Sequence, residues 1–235
     1  MRYDIVSIFP ESMEGLFSIG VIGQARAAGQ IEIHLHDLRD YTDDPHRIVD
    51  DRPYGGGAGM LMKVEPFVRA IEAIREQAAT RLPAVLMSPH GRLLRHEVAA
   101  EWAQGDGLIL LCGRYEGVDE RLLSFIDGEV SIGDYVLAGG EVAAAVVVEA
   151  TARLTPGVVG KYDSVASDSF FSGQRLGSPQ YTRPPEFRGL TVPEVLLSGD
   201  HAKIDAFRQR AAWEKTARNR PDLLGLQVED GGSDG

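Results

Sequence analysis

Apolar positions along this 235-residue chain switch between two periods. "YDIVSIF" (3–9) is a mostly apolar run and reads as a buried strand. "ESMEGLFSIGVIGQARAAG" (11–29) spaces its apolar residues as a helix and ends near Gly29. "IEIHLHDL" (31–38) alternates, which predicts a strand. Residues 40–63 carry no period. A helix is then expected over 66–79, a strand over 84–88, a helix over 95–105 and a strongly buried strand over 108–113. A short helix (119–126), a strand (129–133) and a long apolar helix (139–154), opened by a glycine pair, complete the series. Strands alternating with helices predict an α/β domain with a mainly parallel sheet.

From 156 to 185 the periodicity stops. A run of that length without a pattern is a lid or a linker. Helical spacing returns over 191–199 and 200–224, with Asp200 as N-cap and Pro221 as stop. The expected organisation is an α/β domain over 1–155, an interdomain linker or lid over 156–185, a small helical domain over 186–226 and a disordered acidic tail over 227–235.

Composition narrows the class. Hydrophobic residues make up 43% and charged residues 25%, as in ordinary globular chains, and the formal charge is −11. A nucleic-acid partner would have to be met by a local basic patch against that field. The helix over 201–220 offers one: Lys203, Arg208, Arg210, Lys215, Arg218 and Arg220 against Asp205 and Glu214, with Ile204, Phe207 and Ala211 as its apolar stripe. The one cysteine, Cys112, excludes an intramolecular disulfide and fits a reducing cytosol. The N-terminal run reads as a first strand, not a signal peptide, and no apolar run approaches the ~18 residues of a membrane span.

Several chemistries are excluded. The chain has no G-x-x-x-x-G-K-[ST], and "GGGAGM" (55–60) is not a dinucleotide fingerprint. No zinc pattern exists, and His34 and His36 read as surface histidines sharing one strand face. What remains is a set of glycine-rich loops after strands: "SPHG" (88–91), "CGRYEG" (112–117) and "SIGDYVLAGG" (131–140). Each alone is a tight turn. Three together point to one ligand at the carboxyl ends of strands, with side chains withdrawn so that it meets backbone. "DDRPYGGGAGM" (50–60) reads equally as a surface loop or as one that closes over something.

These residues resemble the bacterial tRNA (guanine-N1)-methyltransferases of the knotted SPOUT superfamily. The likeness runs through "IFPE", "VDDRPYGGGAGM", "MSPHGR", "CGRYEGVDER", "SIGDYVLAGGE", "SDSF", "SPQYTRPPEFRG" and "VPEVLLSGDHAKI". Ala58 stands where a proline is expected, His90 where glutamine is common, and "FSGQRLGSPQ" departs from the usual pattern. The resemblance implies a deep trefoil knot built from the three glycine loops, a homodimer with active sites at the interface, and a cytoplasmic enzyme with no membrane association. It implies methyl transfer from S-adenosylmethionine to N1 of the guanosine just 3′ of the anticodon, position 37, and a requirement for Mg2+, although no metal-binding residues can be named. By match, cofactor contacts fall at Leu86, Pro89, Gly113, Tyr115, Ile132, Gly133, Tyr135, Leu137, Gly139 and Gly140.

N1 of neutral guanine carries a proton and is a poor nucleophile. A base must remove it while a cation or donor stabilises charge growing on O6. By match these are Asp168, in "SDSF", as base and Arg153 at O6, with Glu116 holding the guanine edge. Unaided by the resemblance, Asp168 reads as a turn residue, Arg153 as a helix C-terminal charge and Glu116 as a solvated turn residue. An aspartate titrates near 3.9 in water, so help must come through O6. The rivals are a knotted methyltransferase acting on a ribose 2′-hydroxyl and a non-catalytic nucleotide- or RNA-binding regulator.

Overall fold

The computed structural model describes residues 1–159, 168–171, 173 and 175–226. The expected tail (227–235) and part of the expected linker (160–167, 172, 174) lie outside the described residues. The chain divides into two compact units, Met1–Gly160 and Lys161–Gly235. No helix among the described residues is long and apolar enough to cross a membrane.

The first unit is built on five parallel strands: β1 (Arg2–Ser7), β2 (Glu32–Asp37), β5 (Ala84–Leu93), β6 (Gly107–Cys112) and β7 (Gly128–Ser131), in the order β2-β1-β6-β5-β7. Two short strands, β3 (Asp50–Asp51) and β4 (Leu61–Met62), pair antiparallel outside that sheet. Four helices accompany it: α1 (Gly20–Ala27), α2 (Val64–Gln77), α3 (His96–Trp102) and α4 (Glu141–Ala152). Both faces of the sheet are covered, so the central strand β6 is apolar without a break. Tyr3, Ile5, Leu108, Leu110 and Cys112 pack with α1 and α4, while Val6, Ile109, Leu111 and Leu86 pack with α2.

Two expectations are corrected here. The helix expected over 11–29 is a 3-10 turn, Pro10–Met13, followed by α1 only from Gly20. Gly20 holds φ 63°, a left-handed conformation that no continuous helix accommodates. The strand expected over 84–88 extends to Leu93, because its glycine loop is an excursion within it. Met87 and Arg92 both pair with Val130, and residues 88–91 leave the ladder between them.

In the second unit, β8 (Glu186–Phe187) and β9 (Leu190–Thr191) form a hairpin. Arg188 (φ 54°) and Gly189 (φ 80°) supply its two-residue turn. The helix expected over 191–199 reduces to one turn, Glu194–Leu197, since Thr191 belongs to β9. The helix His201–Asn219 forms as its signals require. The Asp200 carboxylate accepts from the Lys203 N–H at 3.2 Å, and Pro221 follows the end. Its buried positions are Ile204, Ala212 and Thr216, so the inward stripe drifts from the expected Phe207 and Ala211, which are half-buried. Thr216 explains the drift: its hydroxyl accepts from the Leu176 N–H at 3.0 Å.

His36 is not the surface histidine that its strand pattern predicts. It bonds the fully buried Asp4 at 2.8 Å and the Tyr41 hydroxyl at 2.9 Å, while Arg2 donates to both Asp4 oxygens at 2.7 and 2.9 Å. Burial alone would raise the Asp4 carboxyl, but the hydrogen bonds from His36 and Arg2 outweigh it and hold it below its ordinary value. A lowered carboxyl stabilises the fold above its unfolded value, and that contribution is lost as pH falls through the folded value. Asp4→Asn is therefore expected to cost about 3 kcal/mol at pH 7. The gap between variant and wild type should shrink below the ordinary value of 3.8, as read by urea unfolding at both pH values.

Candidate functional site

A cavity of about 470 Å³ opens at the carboxyl ends of β5, β6 and β7. Its wall is made by the three glycine-rich loops that leave those strands. All ten residues matched to cofactor contacts line it: Leu86, Pro89, Gly113, Tyr115, Ile132, Gly133, Tyr135, Leu137, Gly139 and Gly140. So does Glu116. The sheet order explains the convergence, because β5 sits between β6 and β7 and brings their C-terminal loops together.

The glycines answer to a different demand from the one read in the sequence. At Gly140 a Cβ would stand 2.7 Å from the Cα of Cys112 and 3.0 Å from the Cβ of Met87. At Gly91 it would collide with the main chain of Glu129 and Val130. The space a side chain would need is taken by other segments of this chain. A hydrogen bond from the Gly140 N–H to the Gly113 oxygen (2.9 Å) and a bridge between Arg114 and Gly139 close the crossing. Tyr115, beside it, is held at φ 59°, a strained conformation for a bulky side chain.

The 50–60 loop is fixed at its stem and free at its tip. β3 and β4 pair Asp50 with Met62 and Asp51 with Leu61. The Glu116 N–H donates to the Met60 oxygen (3.1 Å), Met62 N–H to the Gly117 oxygen (3.0 Å) and Asp119 N–H to the Met62 oxygen (2.9 Å). Gly59 leaves room for Glu116, whose Cγ lies 2.5 Å from where a Cβ would stand. Tyr54, at the tip, is 99% exposed.

The charges of the lining are lopsided. Glu116, Asp119, Glu120 and Glu129 line the cavity, and among the described residues Arg114 is its one lysine or arginine. Asp119 is engaged by Arg121 at 2.6 and 2.9 Å, which holds its carboxyl below the ordinary range. Arg114 is engaged by Glu141 on α4, its Nε lying 3.0 Å from Oε2 and 3.2 Å from Oε1. The Ser7 hydroxyl donates to Oε1 at 2.6 Å. Ser7, Arg114 and Glu141 were missed by pattern reading. The one available signal was an acid directly after a glycine pair at a helix start, where the macrodipole favours it.

The remaining sequence-predicted residues lie elsewhere. Arg153 is the exposed C-cap of α4 and does not line the cavity. Asp168 belongs to the second unit, half-buried at the head of a turn. That turn is closed by the Phe170 N–H to the Arg175 oxygen (2.8 Å) and the Gly177 N–H to Ser169 Oγ (2.9 Å). On the basic helix, Lys203, Arg208, Arg210 and Arg220 pair with Asp200, Asp205, Glu214 and Asp222 at 3.0, 3.8, 3.6 and 2.6 Å. The flanking Asp200 and Asp222 make its positive surplus smaller than the helix alone suggests.

Gly140→Ala tests the crossing. Its new methyl meets main chain, which cannot swing aside as a side-chain end can. A loss of about 1–3 kcal/mol in urea unfolding is expected, against a smaller loss for Gly128→Ala, where no atom lies within 4 Å of the added carbon.

The family model for tRNA (Guanine-1)-methyltransferase TrmD matches residues 1–226. A tRNA (guanine-N(1)-)-methyltransferase of Geobacter sulfurreducens is 51% identical over 226 residues, covering 95% of this chain and 91% of that protein. Its counterpart in Dictyoglomus turgidum is 49% identical over 224 residues, covering 95% and 90%. The enzyme of that name in Anaeromyxobacter sp. (strain Fw109-5) is 50% identical over 228 residues, with the same coverage. With the match spanning both units, the chain belongs to the tRNA (guanine-N1)-methyltransferase family.

Proposed function

We propose that this chain transfers the methyl group of S-adenosylmethionine to N1 of guanosine in tRNA, at the residue just 3′ of the anticodon. The observation that carries the reading is the cavity at the ends of β5, β6 and β7. Its volume suits a small-molecule site, for which roughly 300–1,000 Å³ is usual. Its lining is acidic, as a cationic sulfonium ligand requires, and its walls offer backbone groups for an adenine edge. S-adenosylmethionine, held there, supplies an activated methyl group.

The protein's part is placement and proton transfer. Leu86, Ile132 and Leu137 give the nucleoside an apolar seat, and Gly113, Gly139 and Gly140 bring main-chain groups to it. Glu116 accepts from the guanine edge. Asp168 takes the N1 proton as the methyl arrives, and Arg153 donates to O6. Arg153 would reach that chemistry from the partner in a homodimer. Exposed apolar side chains support such a dimer: Val142 and Val146 on α4, and Phe9, Leu16, Ile19 and Val21 after β1.

The close crossing of 88–91, 112–117 and 131–140 supports a trefoil knot, and the helix His201–Asn219 supports a C-terminal tRNA-binding domain within 186–226. Its exposed ion pairs contribute little to stability, so tRNA phosphates can displace their acids and use the basic side chains. Reading a single base beside the anticodon calls for it to be flipped out. Among the described residues no group of three His, Cys, Asp or Glu could hold a metal ion, and no step is assigned to Mg2+. A tRNA substrate and a lone buried thiol fit a cytoplasmic enzyme.

Labelled methyl transfer to tRNA transcripts tests the reading. Incorporation is expected with guanosine 3′ of the anticodon and not with adenosine; equal incorporation would favour ribose methylation, and donor binding without transfer would favour a regulator. Asp168→Ala is expected to lower kcat by about 10²–10⁴-fold while S-adenosylmethionine still binds by calorimetry.

A further inference from the structure

The buried Glu141 carboxylate pairs with a cation of the cavity wall. Among the described residues Arg114 is the one lysine or arginine in a lining that also holds four carboxylates. A sulfonium donor is positively charged at the sulfur, and its demethylated product is not. An uncompensated guanidinium in the wall would therefore oppose the donor and spare the product. Glu141 is 5% exposed and takes both Arg114 Nε contacts, at 3.0 and 3.2 Å, while the Ser7 hydroxyl donates to its Oε1 at 2.6 Å. Among the described residues Oε2 has no hydrogen-bond partner, only the ion pair with Arg114. A buried carboxylate in that condition depends on the neighbouring guanidinium for its charge balance. Gly139, also in the lining, packs against the pair: a Cβ there would stand 2.6 Å from Oε2 and collide with Arg114. Arg114 is further held over the Phe9 ring at 4.8 Å, and its N–H donates to Met62 Sδ at 3.0 Å.

We infer that Glu141 is a positioning residue that neutralises Arg114, so that the cavity accepts the sulfonium of S-adenosylmethionine and does not favour the neutral sulfur of S-adenosylhomocysteine. The inference rests on the reading of this cavity as the donor site. It assigns Glu141 no contact with substrate. Its effect is carried by the charge and orientation of Arg114.

Calorimetric binding of both ligands to Glu141→Gln tests it. Loss of one charge is expected to weaken S-adenosylmethionine ~10-fold, the scale of a single partly screened charge at short range, and S-adenosylhomocysteine far less. Glu141→Asp should restore much of the discrimination, and Arg114→Met/Glu141→Gln, which removes both charges, should return the ratio to the wild-type value. Arg114→Met gives a second route if Glu141→Gln folds poorly by circular dichroism: it removes the cation and leaves the carboxylate, and should shift the ratio the opposite way, toward S-adenosylmethionine. Equal weakening of both ligands, or none, in the variants that fold overturns the inference. Leu137→Arg, which fills the cavity, separates the two levels of the argument. If both ligands still bind it as they bind wild type, the donor-site reading falls and the inference with it. If it abolishes binding while the ratio in the other variants does not move, the inference alone falls.

Discussion

Cys112, Met87 and Gly140 crowd into a space where one added carbon would have to stand 2.7 Å from a main-chain atom. That crossing holds the ends of three strands together, and the cavity exists because of it. The loops that follow β6 and β7 are fastened to one another by the Gly140–Gly113 hydrogen bond and the Arg114–Gly139 bridge, and the 88–91 excursion of β5 packs against β7 at Gly91. Close packing of this kind tolerates little change in volume. It also brings main chain at Gly113, Gly139 and Gly140 into the wall of the cavity, among the side chains that line the rest of it.

Much of the α/β unit was legible in the sequence because its elements are long and their periods clear. β1, β6 and α4 are apolar runs whose lengths separate strand from helix. Where local signals misled, a tertiary constraint had overridden them. The pattern over 11–29 is helical in spacing, yet the left-handed Gly20 divides it. The strand over 84–88 continues beyond its glycine loop because Val130 receives it twice. His36 alternates outward by sequence, but Asp4 needs its hydrogen bond. At the candidate site, the three glycine loops could be found from their positions after strands. Their true neighbours could not, since only the fold shows that Gly91 passes over β7 and Gly140 over β6. Asp168 and Arg153 carry no physical signal that separates them from turn and cap residues. Resemblance alone marked them.

Two buried carboxylates show how the same device serves different ends. Asp4 sits at 0% exposure between Arg2 of its own strand and His36, whose hydrogen bond ties β1 to β2. Glu141 sits at the mouth of α4 between Ser7 and Arg114, next to the glycine wall. Each is costly to bury and is held by at least one partner from another element. The first braces the sheet edge. The second sets the charge that a ligand meets at the crossing of the loops.

A co-crystal with S-adenosylmethionine tests the central claim most directly. Adenosine density lying in the cavity at the ends of β5, β6 and β7, with its ring edge against the main chain of 132–140, is the predicted result. Density for the nucleoside at any other place on the chain, with that cavity filled by solvent, would contradict the account.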